Sequence, residues 1–260
     1  MSEFNYQPCE GCKSYSGCPG LTRGFWGWGY YKSNRNGYPT AVECFVHKER
    51  EKQRYIKARK ARSGIDYDSK KYNEDDNPNR EALQCLLKYA NEFEKFKTHT
   101  MVYLYGPEGT SKTTTVKHVA DKILNKGYTV RYVTMRNLLD DLVTNYGDSE
   151  EKKIEIEERL QEYKKSDLLI IDDAFEKSKV TIYSSGFQLP YLYSFISDRY
   201  DTSGKAILFV SSVKPEEIGK NGFGDSLQHY IDKNTTESRL QFTIKRRENP
   251  KIDPMNLFKN

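Results

Sequence analysis

The chain has 260 residues, with 42 Lys and Arg against 37 Asp and Glu, a net charge of +5, and 36% hydrophobic content. That length suits one α/β domain of ordinary size plus a small appendage. No run of eighteen apolar residues occurs, which excludes a membrane-spanning helix, and a charge of +5 is too modest to establish nucleic-acid binding.

The N-terminus, MSEFNYQPCEGC, lacks the basic-then-apolar order of a secretory leader, so a cytoplasmic location is expected. Four of the five cysteines fall in the first 44 residues. In a chain without a leader, C-x-x-C points to metal rather than to disulfides. Cys9, Cys12 and Cys18 supply three thiolates, and Cys44 could close a tetrahedral Zn²⁺ site across 25 intervening residues. His47 is the alternative fourth ligand. The aromatic stretch between, with Trp26, Trp28, Tyr30 and Tyr31, is too short to build a core unaided, and a metal would offset that deficit. The fifth cysteine, Cys85, sits in an apolar helical stretch and reads as core.

Residues 45–62 carry eight Lys and Arg against two Glu and read as a helix, suited to nucleic-acid phosphates or simply to a solvated face. Residues 63–80 are polar, contain Gly and Pro, and show no sustained apolar period. The expected division is therefore a zinc-binding domain with its basic helix at 1–62, a linker at 63–80 and a nucleotide-binding domain at 81–260.

From residue 81 the pattern alternates. A helix over 81–96 precedes a strand at 101–105, a helix to about 125, a strand at 128–134 and helices at 135–146 and 149–166. A strand at 167–172, a helix at 188–201, a strand at 205–212 and a strand-like end at 240–245 follow. Strands alternating with helices specify an α/β fold, a parallel sheet covered on both faces.

The strand at 101–105 breaks into Gly106-Pro107-Glu108-Gly109-Thr110-Ser111-Lys112-Thr113-Thr114, a P-loop. Its backbone N–H groups and helix N-terminus suit the phosphates of ATP. Lys112 would reach the β- and γ-phosphates, and the Thr113 hydroxyl would sit on Mg²⁺. Ser111 replaces the usual second Gly, and is expected to fit at the helix start with ordinary negative φ. Sixty residues after Lys112, the apolar run 167-DLLIIDDAF-175 ends in two carboxylates. Asp172 can hold the Mg²⁺ water shell and Asp173 can polarise an attacking water.

The order of GPEGTSKT, DLLIIDDAF and 192-LYSFISDRYDTSGKAILFVSSVKPEEI-218 resembles the AAA+ ATPases of the bacterial replicative-helicase loaders, DnaC and DnaI, and the related IstB transposition helpers. The resemblance implies an ATPase acting as a homo-oligomer or in an assembly templated by a replicative DNA helicase, with single-stranded DNA as a further partner. It places Ser212 at a sensor position usually held by Asn. It makes Arg239, in 237-ESRLQ-241, an arginine finger for a neighbouring subunit, with Arg246 or Arg247 at a second sensor position. A Cys-rich module ahead of the ATPase core is similar to the DnaI type, whose N-terminal domain contacts the helicase.

Overall fold

The computed structural model describes residues 28–33, 39–43, 45–68, 72–143, 149–183 and 185–243. Two compact units divide between Arg59 and Lys60. In the first, β1 (Trp28–Ser33) and β2 (Pro39–Glu43) form an antiparallel hairpin, with Tyr31 opposite Ala41. The helix α1 (Phe45–Arg62) follows with the expected bounds. From Glu51 onward most of its side chains are exposed, as its polar sequence dictates. Cys9, Cys12, Cys18 and Cys44 lie outside the described residues, so the proposed Zn²⁺ site does too.

The second unit is built on a parallel sheet ordered β4-β5-β6-β3-β7. Its strands are β3 (Met101–Tyr105), β4 (Val130–Thr134), β5 (Leu168–Asp172), β6 (Ala206–Ser211) and β7 (Arg239–Gln241). Because side chains alternate across a strand, each buried strand feeds two cores. Met101, Tyr103, Leu169, Ile171, Ile207 and Phe209 point to one face, and Val102, Leu104, Leu168, Ile170, Leu208 and Val210 to the other. Each such side chain contributes about 1.5–3 kcal/mol on burial.

The second of these faces is covered by α2 (Arg80–Asn91), the short α3 (Phe93–Phe96) and α4 (Lys112–Asn125). The first is covered by α5 (Met135–Leu142), α7 (Gln188–Ser197) and α8 (Asp225–Thr235), with α6 (Glu150–Lys165) giving Tyr163 to the same core. Cys85 is not core: it is exposed on α2, whose buried stripe is Leu83, Leu86, Tyr89 and Ala90. Among the described residues no helix is long and apolar enough to cross a membrane.

Beyond α7 the chain makes a wide turn at Asp198–Thr202 and buries Arg199 completely. Its guanidinium donates to the carbonyls of Tyr163, Lys164 and Ser166 at the end of α6, and of Ala206 in β6. A cation thus satisfies carbonyls that a helix C-terminus leaves unpaired. Burial pushes the Arg199 pKa down to about 9, which leaves it charged at neutral pH.

The stretch expected as a linker belongs to this second unit, which begins at Lys60. Its described part packs along α4. The Tyr72 ring stacks on His118, with centroids 4.4 Å apart, and Asn77 Nδ2 donates to Thr115 Oγ1 at 2.9 Å. Glu74 accepts from His118 Nε2 at 2.7 Å and pairs with Lys122 at 3.0 Å. Since a carboxylate only accepts, Nε2 carries a proton, and Nδ1 lies in a hydrogen bond of 2.7 Å with the Tyr67 hydroxyl. Aromatic and hydrogen-bonded pairs do here what an apolar period does elsewhere, and this is why hydropathy alone missed the contact.

Candidate nucleotide site

The parallel sheet brings the P-loop, after β3, and the acid pair, at the end of β5, to the same carboxyl edge, with β6 between them. Ligands of open α/β sheets bind at that edge. Gly106 is required by close approach, because a Cβ there would lie 2.1 Å from the Phe242 carbonyl oxygen. Gly109 turns the loop at φ +74°. Ser111 does not have the negative φ expected of it: it caps α4 in the left-handed region, at φ 64° and ψ 23°. A non-glycine in that conformation carries a cost of about 1–2 kcal/mol.

The Lys112 ammonium lies inside the loop, donating to the carbonyls of Gly106 at 2.7 Å and Pro107 at 2.8 Å. Burial lowers its pKa. The Thr110 hydroxyl closes the loop on the Pro107 carbonyl at 2.8 Å. Across the cleft, Asp172 is buried and fully engaged. It accepts from the Thr113 hydroxyl at 2.8 Å, from its neighbour Asp173 N–H at 2.8 Å and from the Tyr132 hydroxyl of β4. Burial, then the adjacent Asp172 charge, raises the Tyr132 pKa, so the phenol stays a donor.

The chain reverses directly after β5, with Asp173 at φ 51° and Phe175 at φ 60°, and Phe175 is buried in the core. This reversal returns Glu176 and Lys179 to the cleft. Lys179 Nζ contacts Asp173 at 2.8 Å, Glu176 at 3.0 Å and Glu108 of the P-loop at 3.2 Å. Burial alone would lower the Lys179 pKa, but its hydrogen bonds to the three carboxylates prevail and raise it. Glu176 is 4% exposed, and its other oxygen accepts the Ser212 backbone N–H at 2.7 Å.

The resulting cleft, about 370 Å³, is lined by residues 108–113 together with Asp172, Asp173, Glu176 and Lys179. Gly106 and Pro107 serve it through their carbonyls on Lys112, whereas Thr114 is exposed and outside the lining. Ser212 touches the site through its backbone. Arg239, at the start of β7, is held within its own chain by Glu216 at 2.8 Å, the Asp232 carbonyl at 2.8 Å and the Asp232 carboxylate. Arg246 and Arg247 fall outside the described residues. Among the described residues no cluster of His, Cys, Asp and Glu forms a metal cage. The paired Thr113 hydroxyl and Asp172 carboxylate are nonetheless the hard oxygen donors that Mg²⁺ takes alongside phosphates and waters.

Tyr132, Glu176 and Lys179 are absent from the sequence-based site. The polar run 176-EKSK-179 directly after the acid pair was the available signal for two of them. Tyr132 gave none, since its place depends on the register that pairs it with Ile170 in β5.

The structure is similar to that of a DNA replication initiation factor, with a TM-score of 0.51 at 20% identity, covering 68% of this chain and 51% of that one. The likeness is one of fold alone. In sequence, an ATP-binding protein in an insertion sequence of Mycobacterium tuberculosis is 29% identical over 114 residues, 44% of this chain and 41% of that protein. The XkdC protein of the phage-like element PBSX of Bacillus subtilis is 24% identical over 196 residues, 73% of this chain and 71% of its own length. The chain thus spans less than half of the first relative. The IstB-like ATP binding protein family matches residues 31–227, ending before Arg239. Because that match covers most of the 260 residues and includes both the P-loop and the acid pair, this chain belongs to the IstB-like ATP-binding family.

Proposed function

We propose that this protein is an ATP-hydrolysing loader that binds a replicative DNA helicase and helps to place it on single-stranded DNA. The nucleotide part rests on one observation above others: Thr113 of the P-loop helix bonds Asp172 of the acid pair inside a cleft that also holds Lys112. Lys112 would bind the β- and γ-phosphates, and the Thr113 hydroxyl with Asp172, through its water shell, would hold Mg²⁺, which would supply charge neutralisation on the phosphate oxygens. Asp173 takes a proton from the attacking water. Arg239 serves a neighbouring subunit, and the assembly is a homo-oligomer or is templated by the helicase.

The partner reading is supported by the sequence. Cys9, Cys12, Cys18 and Cys44 precede the ATPase domain in a pattern that resembles the helicase-contacting module of DnaI-type loaders. Zn²⁺ would close that module. A pull-down with the cognate replicative helicase, with and without residues 1–60, tests it. Binding that needs residues 1–60, joined to ATP-dependent retention of single-stranded DNA by the full chain, is the expected result.

A second reading, a helper of transposition, is favoured by the match to the insertion-sequence protein. It predicts duplex DNA binding and no helicase contact, and that outcome would replace the loader.

A further inference from the structure

We propose that Lys179 is a cation of the nucleotide site, contacting the terminal phosphate of ATP from within the same chain and supplying the discrimination that an amide side chain at position 212 would otherwise give. The inference rests on the ATP reading above and deepens it.

Three features carry it. First, Lys179 spans the cleft. Asp173 stands at the end of β5 and Glu108 in the P-loop, and one ammonium reaches both, at 2.8 Å and 3.2 Å. A lysine that only neutralised the buried Glu176 would have no reason to extend to the P-loop. Second, its anchor and its outer partner differ in kind. The Glu176 side chain is 5% exposed and fixed by the Ser212 N–H, while the Glu108 side chain is 73% exposed. A buried carboxylate that keeps its charge holds its counter-ion firmly, whereas an exposed ion pair contributes little and exchanges readily. A phosphate oxygen entering beside Glu108 can therefore take over that outer contact while Glu176 keeps the ammonium in place.

Third, the anchor runs to the sensor position itself. Position 212 follows β6, the strand between the P-loop strand and the acid strand, and its N–H is the group that fixes Glu176. The link from Ser212 through Glu176 to Lys179 sets a charge where a side-chain amide from position 212 would have set a dipole. A fixed cation beside the transferring phosphoryl group stabilises the charge that develops there.

Equilibrium binding of ATP and ADP to the full chain, read with fluorescent nucleotides, tests the inference, together with steady-state hydrolysis. For Lys179→Ala we expect ATP affinity to fall about tenfold or more while ADP affinity holds, as for loss of a charge-assisted hydrogen bond. Turnover should drop about a hundredfold. Lys179→Arg, which keeps charge and reach, should retain the preference for ATP over ADP. A Lys179→Ala protein with the wild-type ratio of ATP to ADP affinity, or with both affinities reduced alike, would overturn the inference. If the unaltered chain binds ATP and Lys112→Ala does not, such a result removes Lys179 alone. Failure of the unaltered chain to bind ATP removes both readings.

Discussion

Thr113 and Asp172 lie 59 positions apart in the chain and meet in a hydrogen bond of 2.8 Å. One opens the helix after the P-loop and the other ends strand β5, so the bond ties the two halves of the site together. It can form because β6 inserts between β3 and β5, setting the acid pair across from the loop rather than beside it.

Lys112→Ala should abolish ATP binding, because the ammonium held at the Gly106 and Pro107 carbonyls is the loop's own cation. Asp173→Asn should bind ATP normally and hydrolyse it at least about a hundredfold more slowly, the range of a lost general base. Titration of each variant with a fluorescent nucleotide, followed by phosphate release, separates the two effects. Unchanged affinity in the Lys112 variant would contradict the assignment.

Tyr132→Phe removes one of the three donors on Asp172 and leaves Thr113 and the Asp173 N–H. Loss of a hydrogen bond to a carboxylate costs about 1.5–3 kcal/mol. We expect the Mg²⁺ concentration for half-maximal hydrolysis to rise several-fold, with metal-free nucleotide affinity unaltered. A Mg²⁺ titration identical to wild type would show that the phenol does not orient the carboxylate.

Arg239→Ala should bind ATP normally and lose most hydrolysis if the arginine acts on a neighbouring subunit. It also breaks the contacts to Glu216 and Asp232, so thermal melting must accompany the assay. A mixture of the Arg239→Ala and Lys112→Ala proteins should then recover activity above both parents. Wild-type turnover in a self-associated Arg239→Ala sample would move the role to Arg246 or Arg247.

Glu74 gives a pH signature. The hydrogen bond from His118, then that from Lys122, lowers its pKa below the ordinary value of 4.5. A carboxylate depressed on folding binds its proton more weakly in the folded state. Its contribution is therefore complete above pH 4.5 and is lost as pH falls through the lower folded value. Hydrogen exchange in residues 65–68 and 72–79 should quicken across that window, and Glu74→Gln should flatten the response. Equal acid sensitivity in both proteins would count against the contact.

Purified full-length protein should contain about one Zn²⁺ per chain, held by Cys9, Cys12 and Cys18 with Cys44 or His47. Chelation should abolish helicase binding and spare ATP binding. Elemental analysis without zinc in reduced protein would refute the site.

The parts most legible in the sequence were those where local pattern and tertiary role coincide. Buried parallel strands read as apolar runs, which gave β3 and β5 almost to the residue, and the Gly-rich break between β3 and α4 could be little other than a phosphate loop. Where the buried stripe is thin the reading failed. The helix α8 went unassigned because Leu227, Ile231 and Thr235 are its only buried residues, in a segment otherwise polar. The contacts of residues 65–79 with α4 are made by tyrosines, an asparagine and a glutamate, types that carry no hydropathy signal. For Lys179 the polar run after the acid pair is a signal, but its return to the cleft depends on the reversal at Asp173 and Phe175.

The left-handed Ser111 bears on how the phosphate loop moves. Glycine populates both halves of backbone space and could pass through many intermediate settings. Serine has a small left-handed basin and, apart from it, only the broad right-handed and extended regions. A loop hinged on Ser111 therefore resides in the left-handed setting or leaves it by a discrete flip, without the gradual drift that glycine permits. A Ser111→Gly chain would keep the same turn with a softer joint, since glycine reaches it without the left-handed cost that serine carries.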